Sequence, residues 1–284
     1  MPTCNRAELI MTSVNSILHQ TYQNWELLIM DDGSTDDTAQ IIQSVDDPRI
    51  VYHRLEHCGS PGRLKNEGLR LCSGTLIAFN DSDDLWHPDK LRKQVNALES
   101  NPDAGFCVAN GYNFRDNPAL PLNFVYPRKE GFRSGNLFLA CFQSELAAFT
   151  QALVFKKSCL DKTGYFDEER IHDRTFIVSL AFHYAGLIIY EPLFFRRLHD
   201  HNFSKTKWQK DYRYERALIE SYKTHLPNKI YKNSLFKLYV QWGETYAKHQ
   251  YKSLAAKSYF KAWRFNPLSL APLKKIGKLI LRSH

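Results

Sequence analysis

The chain has 284 residues, 43% of them hydrophobic and 24% charged, with a formal net charge of +8. That balance excludes wholesale disorder, and the length allows one large domain plus an appendage. The positive charge is spread along the chain, with one modest run at Lys274-Lys275-Ile276-Gly277-Lys278, which suits phosphates and nucleotides and argues against a nucleic-acid partner. The six cysteines (Cys4, Cys58, Cys72, Cys107, Cys141, Cys159) show no CxxC and no clustering with histidine, so they read as reduced thiols of a cytosolic protein. No basic segment followed by an apolar stretch opens the chain, so no export leader is expected. The longest apolar region, Leu180 to Phe195, is broken by His183, Glu191 and Pro192 and does not read as a membrane span.

In chain order, Asn5 or Thr3 is placed to cap a helix carrying Ile10, Val14, Ile17 and Leu18 at helical spacing. Trp25 to Met30 reads as a buried strand ending at Asp31-Asp32-Gly33. Ser34, followed by Asp37, signals a second helix with acidic side chains in its first turn. Ile50 to Tyr52 is a short strand, Arg63 to Cys72 a helix and Thr75 to Phe79 a strand. Pro88 starts a helix through Leu91, Val95 and Leu98, and Gly105 to Ala109 is the next strand. This alternation predicts an α/β fold, an open and mostly parallel sheet covered by helices on both faces, with ligands at the C-terminal strand ends. Residues 110 to 150 read as long loops over the site. A helix over Asp173 to Tyr184 and a strand over Leu187 to Tyr190 follow. From about Lys210 the pattern is helical, with one tetratricopeptide-like hairpin over Ala247 to Pro267 and a basic amphipathic helix from Leu273 to Arg282. The predicted domains are 1–205 and a C-terminal α-helical extension over 206–284.

Asp81-Ser82-Asp83-Asp84 follows the apolar run Thr75 to Phe79 by one residue. Carboxylates crowded at a strand end repel one another unless they share a cation, and an oxygen-only set favours Mg2+ or Mn2+. A solvated turn capping the next helix is the other reading.

Several segments together resemble the inverting family 2 glycosyltransferases of the GT-A fold. They are Pro2-Thr3-Cys4-Asn5-Arg6, Ser16 to Tyr22, Asp31-Asp32-Gly33-Ser34-Thr35-Asp36, Asn66-Glu67-Gly68, and Asp81-Ser82-Asp83-Asp84 with Pro88-Asp89-Lys90-Leu91. The likeness resumes at Gly164 to Glu168, Ile171-His172-Asp173-Arg174, Glu191-Pro192-Leu193 and Arg197 to Ser204. The resemblance implies transfer of a sugar from a nucleoside-diphosphate sugar, a UDP-sugar first among them, to a hydroxyl of a glycan, lipid-linked or protein acceptor in cell-surface glycan synthesis. It implies that Asp32 accepts a hydrogen bond from the base and that Pro2 and Thr3 line the nucleotide pocket. Arg63 and Lys65 would meet the diphosphate, and Asp83, Asp84 and Asp81 would hold a Mn2+ or Mg2+ ion bridging it. His199 would join that ion, with His201 as the other candidate, and Asp173 would be the general base. His172 stands where relatives carry an acid, and Trp86 is a candidate wall of the site. Relatives also place an apolar strand before the Pro-Thr segment, where this chain has only Met1, which predicts a late start or a truncated and impaired protein.

A phosphohydrolase of the haloacid dehalogenase type also uses DxD, but its other motifs are not in order here. A non-catalytic nucleotide-binding scaffold descended from a transferase is the remaining alternative. The expected location is cytoplasmic, with the basic C-terminal helix as a candidate for peripheral contact at the inner membrane face.

Overall fold

The computed structural model describes residues 1–127, 129–146, 149–168, 172–199 and 208–281. The chain divides into two compact units, Met1–Asn202 and Phe203–His284.

The first unit opens with β1 (Pro2–Thr3), α1 (Ile10–Leu18), β2 (Leu27–Asp31), α2 (Thr38–Gln43) and β3 (Ile50–Arg54). Strands β1, β2 and β3 form a parallel three-stranded sheet. Helix α1 buries Ile10, Val14 and Ile17, spaced to share one face. Neither expected cap forms: Thr3 is in β1, and Asn5, in a left-handed conformation (φ 49°), accepts from the Thr35 amide at 2.8 Å. Trp25 stays outside β2, with the Arg49 guanidinium 3.8 Å from its ring centre. Ser34 does not start α2 either; its hydroxyl donates to Asp31 Oδ1 at 2.5 Å, and no acidic residue lies in the first turn of α2.

Next come α3 (Pro61–Leu71), β4 (Leu76–Ala78), β5 (Leu85–Trp86), α4 (Lys90–Glu99) and β6 (Ala104–Phe114). Helix α3 starts two residues before the predicted Arg63, because Pro61 sits at its first position and Ser60 Oγ accepts from the Arg63 amide at 3.3 Å. The remainder of the unit is β7 (Asn123–Phe124), β8 (Phe132–Gly135), α5 (Phe138–Phe142), a 3-10 turn at Thr150–Ala152, β9 (Leu153–Lys156), α6 (Leu160–Thr163), α7 (His172–His183) and β10 (Ala185–Arg197).

Strands β4, β9, β6, β10 and β5 lie in that order in a second, seven-stranded sheet, with β7 on β6 and β8 on β10. Parallel pairing holds for β1–β2–β3 and β6–β10, whereas β4–β9, β6–β9, β6–β7, β8–β10 and β5–β10 are antiparallel. The region read as long loops is therefore partly sheet. Strand β6 runs on through polar Asn110 because that buried side chain is satisfied locally, its Oδ1 accepting from Gly111 and Tyr126 amides, each at 2.9 Å. Strand β10 likewise extends across Pro192, where the register with β6 shifts. The core runs under β6 and β10 through Phe106, Cys107, Val108, Leu187, Ile188 and Phe194. Phe106 packs on Gly186 so closely that a Cβ there would lie 2.3 Å from its ring.

Met1 prolongs the β1–β2 pairing, donating to Leu28 O at 2.7 Å and accepting from Met30 N at 2.9 Å. A cavity of about 530 Å³ is lined by Met1, Leu27, Met30, Leu69, Leu76 and Ile77, so it meets both β2 and β4.

The second unit contains α8 (Trp208–Ser221), α9 (Asn228–Lys248), α10 (Lys252–Phe265) and α11 (Ala271–Leu281). The hairpin expected over Ala247 to Pro267 is built from longer pieces, α9 and α10, which meet closely where Gly243 faces the Tyr259 ring.

Candidate functional site

The turn after β2 is built around two carboxylates with different duties. Asp31 Oδ1 accepts from Ser34 N at 3.0 Å and from its hydroxyl, while Oδ2 accepts from Tyr52 OH at 2.5 Å, so Asp31 is committed to the loop. Asp32, beside Thr3 through its amide (2.9 Å), accepts from the Cys58 amide at 2.7 Å and the Gly59 amide at 2.9 Å. Burial opposes its charge, but those amide bonds outweigh it and hold the Asp32 carboxyl below the usual range. An ionised carboxylate has about four acceptor positions, so Asp32 retains capacity for an N–H donor of a ligand. Thr3 Oγ1 is buried there with no hydrogen-bond partner among the described residues.

Cys4, Asp32 and His57 also bring three ligand-type atoms within 4.8 Å of one another, a cluster invisible in the sequence because it joins the ends of β1 and β2 to the loop after β3. The Cys4 thiol is pushed up, first by burial and then by Asp32, which disfavours the thiolate that a metal would need.

After β4 the acidic run separates into distinct roles. Asp83 Oδ2 lies 2.8 Å from His199 Nε2 and 3.6 Å from Arg6 Nη2, at a partly exposed position. Asp81 is pushed up to about 6 by burial, with Lys65 opposing and Asp173 and Asp83 adding to the rise. Asp84, expected among the metal ligands, also has structural partners: its Oδ2 accepts from Gln151 Nε2 and its Oδ1 from the Arg197 amide, each at 2.7 Å. Burial, followed by Asp83 and Asp81, raises the Asp84 pKa well above the usual range. Asp84 thus ties the end of the β4–β5 connection to the 3-10 turn and to the end of β10. Asn80 was missed by sequence reasoning. Both polar atoms of its buried side chain lack a hydrogen-bond partner among the described residues, directly before Asp81.

Asp173 is the second residue of α7, inside the helix rather than its cap. Its Oδ1 is 2.7 Å from Lys65 Nζ, and its Oδ2 accepts from Thr150 Oγ1 at 3.1 Å. Lys65 also donates to Thr150 Oγ1 at 2.8 Å. The residue expected at the diphosphate is therefore buried against the candidate base, while Arg63 remains exposed on the first turn of α3. Burial pulls the Lys65 ammonium down, but Asp173 and Asp81 prevail and raise its pKa. Lys65 stands between the two acidic groups as their shared countercharge. Asn66, next along α3, exchanges hydrogen bonds with the Phe166 amide and carbonyl, both at 2.9 Å, which joins two motif segments. Trp86 is buried with its ring 4.2 Å from Lys90 Nζ, so it serves packing. Pro2 lines the rim of β1. His201, Asn202, Ser204 and the side chain of His172 lie outside the described residues.

The Asp83–His199 contact offers a carboxylate oxygen and a borderline nitrogen to a divalent cation. Among the described residues, however, the only three ligand-type side chains gathered within 4.8 Å are Cys4, Asp32 and His57, and Asp81 does not join Asp83 and His199 in such a group. Asp84 gives each oxygen to one protein donor and, like Asp32, keeps further acceptor positions.

A family model described as "Glycosyl transferase family 2" matches residues 1–160. The chain is 37% identical over 129 residues to the UDP-Glc:alpha-D-GlcNAc-diphosphoundecaprenol beta-1,3-glucosyltransferase WfgD of Escherichia coli, across 45% of this chain and 50% of that protein. It is 40% identical over 124 residues to the putative teichuronic acid biosynthesis glycosyltransferase TuaG of Bacillus subtilis, across 43% and 48% respectively. The chain thus spans about half the length of these curated relatives. Among solved structures it resembles S. aureus TarS 1-349 with a TM-score of 0.68 at 17% identity, covering 95% of this chain and 82% of that one. It also resembles the mannosyltransferase PcManGT of Pyrobaculum calidifontis in complex with GDP-Man and Mn2+, with a TM-score of 0.53 at 16% identity, covering 98% and 77%. The expected fold class, a GT-A α/β fold with helices on both faces and a helical C-terminal extension, is the observed one. The sheet is not mostly parallel as expected, since five of the eight strand pairings among the described residues are antiparallel.

Proposed function

The chain belongs to glycosyl transferase family 2, and we propose that it transfers a sugar from a UDP-sugar to a hydroxyl of a lipid-linked glycan acceptor, with inversion at the anomeric carbon. The observation that supports this reading is the electrostatic coupling of Asp81, after β4, to the Lys65–Asp173 pair and to Asp83, which itself meets His199, together with an ionised Asp32 after β2. WfgD, similar over half its length, acts on UDP-Glc and a diphosphoundecaprenol-linked acceptor by its name, and this supports the donor and acceptor classes.

In this reading Asp32 receives the N–H of the base and sets the donor's register. Asp83 and His199, with Asp81 nearby in sequence, are the residues that would hold a Mn2+ or Mg2+ ion, and such an ion would offset negative charge on a departing diphosphate. Asp173 takes the proton of the acceptor hydroxyl as its oxygen attacks the anomeric carbon. The bond from that carbon to the diphosphate breaks, and the nucleoside diphosphate leaves with the electron pair. A positioned carboxylate of this kind contributes roughly 10²–10⁴-fold. Lys65 and Thr150 fix its two oxygens in one orientation. The work is done in the cytoplasm, where nucleotide sugars are available.

Sugar transfer and UDP binding measured together on Asp173→Asn test the proposal. Loss of turnover with UDP affinity unchanged supports it. Turnover that survives in Asp173→Asn refutes the base assignment, and UDP binding with no transfer even in the unmodified chain favours the scaffold alternative.

A further inference from the structure

From Thr245 to His284 the sequence carries nine Lys and Arg residues and no Asp or Glu. Within this stretch α10 buries Ala255, Ser258, Tyr259 and Ala262 against its neighbours. Its opposite side exposes Lys257, Phe260, Lys261 and Arg264. Phe260 and Trp263 are in ring contact, with centroids 5.7 Å apart. Trp263 Nε1 donates to Pro267 O at 3.1 Å, which fastens the connection between α10 and α11 to the aromatic pair. That connection presents Leu268, 94% exposed, and Leu270, 59% exposed, with Lys274 exposed in the first turn of α11.

We infer that Phe260, Trp263, Leu268 and Leu270, ringed by these cations, form a docking face for an anionic lipid bilayer. The apolar groups would enter the headgroup boundary while the cations meet lipid phosphates, the arrangement of an interfacial element. No helix among the described residues is long and apolar enough to cross a membrane, so the contact is a surface one. Charge selects this occupant over the others. A second copy docked face to face would bring Lys257, Lys261, Arg264 and Lys274 against their own copies, and the neighbouring acid, Glu244, is already paired with Lys275. Nucleic acid would satisfy the cations but leave Leu268 and Leu270 in water. The inference concerns the second unit alone and stands apart from the proposed chemistry.

The full chain is to be sedimented with phosphatidylcholine vesicles, with and without phosphatidylglycerol, at low and high salt. The inference expects co-sedimentation with anionic vesicles, release by salt, and an affinity loss of about tenfold for each of Leu268→Asp and Leu270→Asp. Both positions are exposed, so an unchanged circular dichroism spectrum and melting temperature certify that these variants fold. The inference is overturned if the folded chain ignores anionic vesicles or if both variants bind as before. It is also overturned if sedimentation equilibrium shows a dimer that Leu268→Asp dissolves, or if the face takes up single-stranded RNA more tightly than vesicles.

Discussion

Lys65 and Asp173, 108 positions apart in sequence, meet at 2.7 Å between Nζ and Oδ1. Thr150 bridges the same pair, and its neighbour Gln151 holds Asp84. One 3-10 turn therefore sets the candidate base with one residue and the last carboxylate of the acidic run with the next.

Removing Lys65 should be costly in a specific way. Lys65→Met leaves Asp173 and Asp81 without their shared countercharge, and breaking a buried pair on one side costs roughly 3–5 kcal/mol; the partial exposure of Asp173 puts this case at the lower end. Adding Asp173→Asn should return about 1–2 kcal/mol of the loss, because the second substitution removes one orphaned charge. Urea unfolding of the two single variants and the double variant checks this. Strict additivity would mean that the pair is not coupled.

Gln151→Leu tests whether Asp84 is an anchor. The change keeps the apolar volume and removes a donor to a buried carboxylate, at a cost of about 1–3 kcal/mol. Asp84→Asn should be milder, since the amide can still accept from the Arg197 amide. Melting temperatures decide it: a Gln151→Leu protein as stable as the parent contradicts the anchor role.

Lys90 supplies a pH test. It is fully buried, its Nζ has no hydrogen-bond partner among the described residues, and burial, opposed by Cys107, lowers its pKa to about 7. The unfolded lysine titrates near 10.4, so between about 7 and about 10.4 the unfolded chain holds a proton that the folded chain has released. Stability therefore rises with pH across that window, and the full cost of the buried charge applies below it. The Trp86 ring returns part of that cost through its contact with Nζ. Lys90→Met should stabilise the protein by a few kcal/mol at pH 7, since each tenfold change in proton affinity is worth about 1.4 kcal/mol. The gain should shrink toward pH 10. An equal effect of the substitution at both pH values would contradict this account.

The first hundred residues were legible because their elements are local and periodic: Ile10, Val14 and Ile17 share a helix face, and the apolar runs at Leu27 and Leu76 end in acidic turns. What escaped the sequence is long-range. Asp84 reads like its neighbours until Gln151, just past the stretch taken for loop, claims its oxygen. Lys65 reads as a phosphate ligand on a helix face until α7 brings Asp173 to it. The Cys4–Asp32–His57 cluster joins three chain segments with no spacing signature. Strand β6 outran its apolar core because β10 pairs with it from Asn110 to Phe114 and β7 at Tyr112 and Asn113, while the Asn110 side chain accepts from the Gly111 and Tyr126 amides.

The most direct test of the donor site is the melting temperature of the purified chain with UDP, GDP or dTDP, each with and without Mn2+, beside the Asp32→Ala and Asp83→Ala variants. A bound ligand at 100 times its Kd adds about 2.7 kcal/mol, which moves the melting temperature of a domain this size by several degrees. The account predicts a shift that needs both UDP and Mn2+ and disappears in either variant. A folded chain whose melting temperature ignores every nucleotide, or a shift that survives both substitutions, would contradict it.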